Sequence, residues 1–122
     1  MEWDIAVHRD EKYIEVVTRG TANRENSLKM AKVVADSMKR NRITKALIDH
    51  RGIQSVSGEI VDIYERPKIL KLIGLILRIR IAELIKHEHK EHFEFLETVF
   101  VNRGYSFFVF YKKDKAIEWL LE

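Results

Sequence analysis

Two hydrophobic periods alternate along the chain. Trp3, Ile5 and Val7 alternate with Asp4, Ala6 and His8, the period-2 pattern of a half-buried strand. Residues 9–12 are polar and fit a turn. Residues 13–18 are β-rich and put Ile14 and Val16 on one face, which predicts a second strand, paired with the first as a hairpin and ended by Gly20. The period then lengthens. Ala31, Val34, Ala35 and Met38 recur at helical spacing, and Asn23 is placed to accept an orphan backbone N–H, so a helix is expected from Asn23 to about Arg40. Ala46, Leu47 and Ile48 form a continuous apolar run reaching Asp49, as in a strand buried on both faces. A loop containing Gly and Ser is expected over residues 51–58.

The second half repeats the alternation. A helix is predicted from about Glu59, with Ile60, Ile63 and Tyr64 inward. Pro67 breaks or kinks it, because proline lacks the N–H and crowds the preceding turn. Ile69, Leu70, Leu72 and Ile73 suggest a second helical piece ending at Gly74. Leu77, Ile79 and Ile81 alternate with Arg78, Arg80 and Ala82 as in a strand. Residues 87–91 make a polar connection into a helix that reaches about Asn102 and buries Phe93, Leu96, Val99 and Phe100; Gly104 supplies its stop. Residues 107–111 read as a last buried strand. Asp114 is placed to cap a terminal helix that docks Ala116, Ile117, Leu120 and Leu121. The predicted order is β-β-α-β-α-β-α-β-α. Strands alternating with helices imply crossovers, hence an α/β fold with a mostly parallel sheet and an antiparallel edge hairpin at the N-terminus.

Composition narrows the function classes. At 122 residues, 46% hydrophobic and without a linker, internal repeat or low-complexity segment, the chain suits one domain. Zero cysteine excludes disulfides, Cys-ligated zinc and thiol nucleophiles. The net charge of +3 is a mild excess spread among many acids, which argues against a nucleic-acid binder. The opening residues lack the basic start and apolar run of a signal peptide. Residues 72–77 are far short of the roughly 20 apolar residues that span a bilayer. A cytoplasmic protein without stable membrane insertion is the expectation.

The element order, taken with residues 14–21 (IEVVTRGT), 47–52 (LIDHRG), 62–65 (DIYE), 102–104 (NRG) and 116–120 (AIEWL), resembles the bacterial SpoIIAA-like (STAS-like) family over nearly the whole chain. That family is similar in fold to anti-sigma-factor antagonists and, more distantly, to CRAL-TRIO lipid-transfer domains. The resemblance implies a regulatory, non-enzymatic protein-interaction module. In the antagonists, the loop after the buried strand carries an Asp-Ser-Ser-Gly motif whose first serine is phosphorylated. Anchored on Gly58, the match puts Ser57 at the second serine, Val56 at the phosphoacceptor and Ser55 at the Asp, so this chain departs from the pattern at the acceptor itself. Ser57 either caps the following helix or presents its hydroxyl at a helix N-terminus, where a phosphate meets free N–H groups.

Candidate chemistry is sparse. His87, His89 and His92 with Glu88 and Glu91 form the one metal-like cluster, set against a solvated helix entry. Asp49 beside His50 invites an acid/base reading, but adjacent strand residues point to opposite faces. There is no nucleophile elbow, no phosphate-binding Gly-rich loop and no zinc-protease motif, and no cofactor is implied. Loops at the C-terminal ends of parallel strands are where open α/β sheets bind ligands, so residues 49–58 and the helix after them are the expected partner surface, with Asp49, Ser55, Ser57 and Tyr64. Around residues 67–85, Lys68, Lys71, Arg78 and Arg80 interleave with apolar residues, which fits a core that also contributes to a homodimer interface. The alternative is a carrier for a small apolar or anionic ligand, with Ile60, Ile63, Ile69 and Leu70 lining a pocket and Arg78 or Arg80 holding the head group.

Overall fold

The computed structural model describes residues 1–56 and 79–122. Five strands form one sheet in the order β1 (Glu2–His8), β2 (Tyr13–Ala22), β3 (Lys45–Val56), β4 (Arg80–Leu84) and β5 (Ser106–Phe110). The β1–β2 pair is antiparallel and the other three are parallel. The helices are α1 (Arg24–Asn41), α2 (Lys90–Asn102), entered through a 3-10 turn at His87–His89, and α3 (Lys113–Leu120). The helical pieces expected after Glu59, with Tyr64, lie outside the described residues.

Side-chain alternation gives the sheet two buried faces. Ile14, Val16, Ala46, Ile48, Ile81 and Phe107 pack against Val34 and Met38 of α1 and Phe93, Leu96 and Phe100 of α2. On the reverse face, Tyr13, Leu47, Ala82 and Leu84 pack against Ala116 and Leu120 of α3. The layers are therefore α1 and α2, the sheet, and α3. The β2–α1–β3 and β4–α2–β5 units step the same way along the sheet, so crossovers of one hand put α1 and α2 on the same face.

Local signals account for most boundaries. The Asn23 side chain accepts from the Asn26 N–H at 2.9 Å and starts α1, as its sequence position implies. Arg42, at φ 55°, ends α1 in the left-handed conformation. β5 is an edge strand, and the Val109 N–H donates to Glu97 Oε2 at 2.6 Å. That bond occupies a ladder donor which would otherwise invite a further strand.

Five expectations need correction. β2 does not end at Gly20, and residues 51–56 are strand rather than loop. Both strands continue because they pair with each other through register shifts near Val17 and Gly20. Gly20 takes φ +93°, and a Cβ at Gly52 would stand 2.5 Å from the Thr18 carbonyl oxygen, so both glycines serve a bulged, close-approaching ladder rather than a strand end. β4 begins at Arg80 and runs through buried Glu83 to Leu84, two residues beyond the predicted strand. β5 begins at Ser106 and ends at Phe110, a one-residue shift. Finally, Lys112, not Asp114, occupies the α3 N-cap position and makes no side-chain cap bond; Asp114 lies in the first turn, where its charge complements the dipole.

Candidate functional site

The middle of β3 carries different chemistry on its two faces. Asp49 points toward α3. Its carboxylate accepts from Arg51 Nε at 3.0 Å, Arg51 Nη2 at 2.9 Å and the Arg51 backbone N–H at 3.0 Å. Burial alone would raise the Asp49 carboxyl, but these bonds outweigh it and hold the group below the usual carboxylate range. Beside it, Glu15 receives Lys113 at 3.0 Å and His8 at 2.9 Å. Burial again opposes, and the hydrogen bonds from Lys113 and His8 prevail and hold Glu15 low. Farther along, the exposed hydroxyls of Thr21 and Ser55 hydrogen-bond each other at 2.9 Å across the β2–β3 ladder.

Of the residues singled out in the sequence, Asp49 is buried near the middle of β3 and Ser55 is exposed near its C-terminus, so the strand carries both without bringing them into contact. Ser57, Tyr64 and Arg78 lie outside the described residues. Arg80 stands elsewhere: its Nη1 donates to the Trp119 carbonyl at 2.9 Å and the Glu122 carbonyl at 3.2 Å, and its guanidinium lies 4.7 Å from the Trp119 ring centroid. It ties α3 to the sheet. The three histidines diverge. His87 stacks on Tyr111 with centroids 4.0 Å apart, His89 Nε2 donates to the Ile53 carbonyl at 3.3 Å, and His92 meets Phe93 edge-on. Among the described residues no group of three or more His, Asp or Glu side chains converges to hold a metal ion.

Behind Asp49, on the α1–α2 face, the structure assembles a buried polar chain that the sequence reading did not contain. His50 Nδ1 is 2.7 Å from Thr18 Oγ1, and Thr18 Oγ1 also donates to the Asp49 carbonyl at 3.2 Å. His50 Nε2 is 2.8 Å from Glu83 Oε2, an ion-pair distance, and Oε2 has no aligned hydrogen bond among the described residues. The ring of His50 stacks on Phe93 at 5.0 Å. The ladder explains the meeting: Val16, Ile48 and Glu83 are in register across β2, β3 and β4, and the bulge after Val17 brings Thr18 beside His50. A signal was present, since Thr18, His50 and Glu83 each continue an apolar alternation (Ile14–Val16, Ala46–Ile48, Ile81) onto the core face. Hydroxyl, imidazole and carboxylate stand in the connectivity of a nucleophilic triad. Thr18, however, is 0% exposed, so its hydroxyl reaches no substrate. His50 and Glu83 also border a cavity of about 100 Å³ between α1, α2 and the sheet, whose other walls include Met30, Val34, Ile48 and Leu96.

No family model and no curated protein matches this sequence. Solved structures do resemble it. A DUF3478-family protein with a SpoIIAA-like fold from Shewanella loihica PV-4 superposes with a TM-score of 0.61 at 20% identity, over 98% of this chain and 92% of that one. An anti-sigma factor antagonist from Mycobacterium paratuberculosis gives 0.65 at 12% identity, over 99% and 94%. The anti-sigma factor antagonist SpoIIAA in its unphosphorylated form gives 0.53 at 11% identity, over 96% of each chain. With a five-stranded mixed sheet, an antiparallel N-terminal pair and helices on both faces, the described residues have the SpoIIAA-like α/β fold.

Proposed function

We propose that this domain is a non-enzymatic regulatory module that binds a protein partner through the C-terminal end of β3 and the residues that follow it. The observation that carries the reading is the likeness, over nearly the whole chain, to two anti-sigma factor antagonists. The local chemistry supports it. Arg51, Gln54 and Ser55 are exposed at the end of a strand whose backbone is held rigidly by β2, and Asp49 fixes the Arg51 guanidinium in place. Preorganised polar side chains on a rigid element lose little entropy when a partner docks. The seclusion of the Thr18 hydroxyl supports a role without nucleophilic catalysis. Among the described residues no helix is long and apolar enough to cross a membrane.

Affinity capture from a bacterial lysate tests the proposal with three forms of the full chain. The wild type and Lys32→Glu, a change on exposed α1, retain the same partner protein, whereas Arg51→Glu combined with Ser55→Arg loses it. Equal capture by all three forms removes this surface from the function. A self-association read by sedimentation, lost in the same double variant, makes the partner a second copy of the chain.

A further inference from the structure

We propose that the cavity between α1, α2 and the sheet binds a small, mostly apolar molecule carrying one hydrogen-bond-donating group, an amine or a hydroxyl, with that donor on Glu83 Oε2. This goes beyond the partner-binding reading and rests on the opposite face of β3. Three observations carry it. First, the walls are apolar, with Met30 and Val34 from α1, Ile48 from β3, and Leu96 and Phe100 from α2. Second, one end is polar: Glu83 is 6% exposed, borders the cavity, and its Oε2 has no aligned hydrogen bond among the described residues although His50 Nε2 stands 2.8 Å away. Buried acceptors are almost always satisfied, and an exception points to a missing partner. Third, the His50 ring is held from behind by Thr18 at 2.7 Å and from the side by Phe93, so it is fixed against turning to satisfy Glu83 itself.

The size and sign of the site define the ligand class. An apolar cavity of about 150 Å³ accepts benzene. The volume here, about 100 Å³, is two-thirds of that and the cavity is partly open to solvent, so a single ring of six or seven heavy atoms seats with one edge outside. A carboxylate oxygen accepts hydrogen bonds, so a carboxylate or phosphate ligand would be repelled at the one polar end. Water alone is a poor occupant of the apolar part, because it needs two to four polar partners and Met30, Val34, Ile48, Leu96 and Phe100 offer none.

Phenol and benzene are the probes, differing by one donor on the same ring. Each is titrated into the full-length ¹⁵N-labelled chain and followed by amide shifts of α1, α2, β3 and β4. Saturable phenol shifts, at least about tenfold tighter than benzene, are expected, the worth of one good buried hydrogen bond. Glu83→Met removes the acceptor while keeping length, and should bring phenol down to the benzene value. Ala31→Leu, at a half-buried lining position of α1, should weaken both probes, and it keeps the test open if Glu83→Met fails to fold. Absence of saturable shifts with wild-type protein overturns the site. Equal affinity for the two probes, or a phenol preference unchanged in Glu83→Met, overturns the role of Glu83.

Discussion

Thr18→Val separates hydrogen bonding from packing at the centre of the buried chain, because valine keeps the shape of threonine and discards its hydroxyl. Thr18 is 0% exposed and His50 5%, so no bulk water replaces the lost partner. The 2.7 Å contact to His50 Nδ1 disappears, and a polar ring nitrogen faces a methyl group. Leaving one buried polar group unsatisfied costs about 1–3 kcal/mol, and we take about 2. Thr18→Ser does the reverse: it keeps the hydroxyl and deletes one buried methyl, at about 1 kcal/mol. Strand propensity runs against the first result, since valine is a strong strand former. Urea unfolding measures both. With a slope of about 1.5 kcal/mol/M, the valine midpoint should fall by about 1.3 M and the serine midpoint by about half that, at unchanged slope. A valine variant as stable as the serine one, or more stable, would show that packing outweighs the polar chain and would refute the reasoning.

Other predictions follow from single geometric facts. Gly52→Ala puts a Cβ 2.5 Å from the Thr18 carbonyl oxygen, a backbone atom that cannot turn aside, so β2 and β3 must part. The expected loss is about 2 kcal/mol in urea unfolding, and an unchanged midpoint would show that the ladder yields freely. Arg80→Met removes two hydrogen bonds and the cation–π contact that hold the end of α3; amide exchange of α3 should quicken while that of α1 stays as before, at an overall cost of about 1 kcal/mol. Acid should destabilise the domain through Asp49 and Glu15. Both carboxyls are held below their ordinary value near 4, so they stabilise above that pH and the contribution fades as pH falls through their lower folded values. Glu97 acts with the opposite sign, since burial, only partly offset by the Val109 N–H, holds it high and favours its protonated form in the fold. Asp49→Asn should flatten the loss below pH 4 in a thermal-unfolding series, whereas an unaltered profile would place the acid sensitivity elsewhere.

Much of the fold is legible because its signals are local. The Asn23 cap, the stripe Val34–Ala35–Met38 and the buried face Phe93–Leu96–Val99–Phe100 each need only a few neighbouring residues, and each stands as the pattern predicts. What failed depends on partners distant in sequence. Gly20 and Gly52 look like strand ends, yet β2 and β3 carry on past them because each supplies the other's ladder bonds. Glu83 breaks the apolar pattern of its segment, and it belongs in a buried strand because His50, 33 residues earlier, lies beside it. The candidate site divides in the same way. Asp49 and Ser55 are singled out by a local signal, their place after an apolar run, and remain an expectation about the surface, whereas the chain Thr18–His50–Glu83 joins three strands and exists only once their register is set.

Alternation along β3 also decides how the two proposed activities relate. Asp49 and His50 are neighbours in sequence but face opposite layers: Asp49 organises Arg51 beside α3, and His50 stands over the cavity under α1 and α2. The sheet between them is held by backbone ladders rather than by these side chains. A side-chain change at Arg51 or Ser55 alters the exposed end of the strand and leaves Glu83 and the cavity walls in place. A change at Glu83 or Ala31 alters the cavity and leaves the exposed end untouched. Loss of partner capture in Arg51→Glu with Ser55→Arg should therefore coexist with intact phenol binding, and loss of phenol preference in Glu83→Met with intact capture. If either substitution abolished both, the two faces would share a conformational equilibrium, and linkage would then require the partner to change phenol affinity by the same factor that phenol changes the partner's.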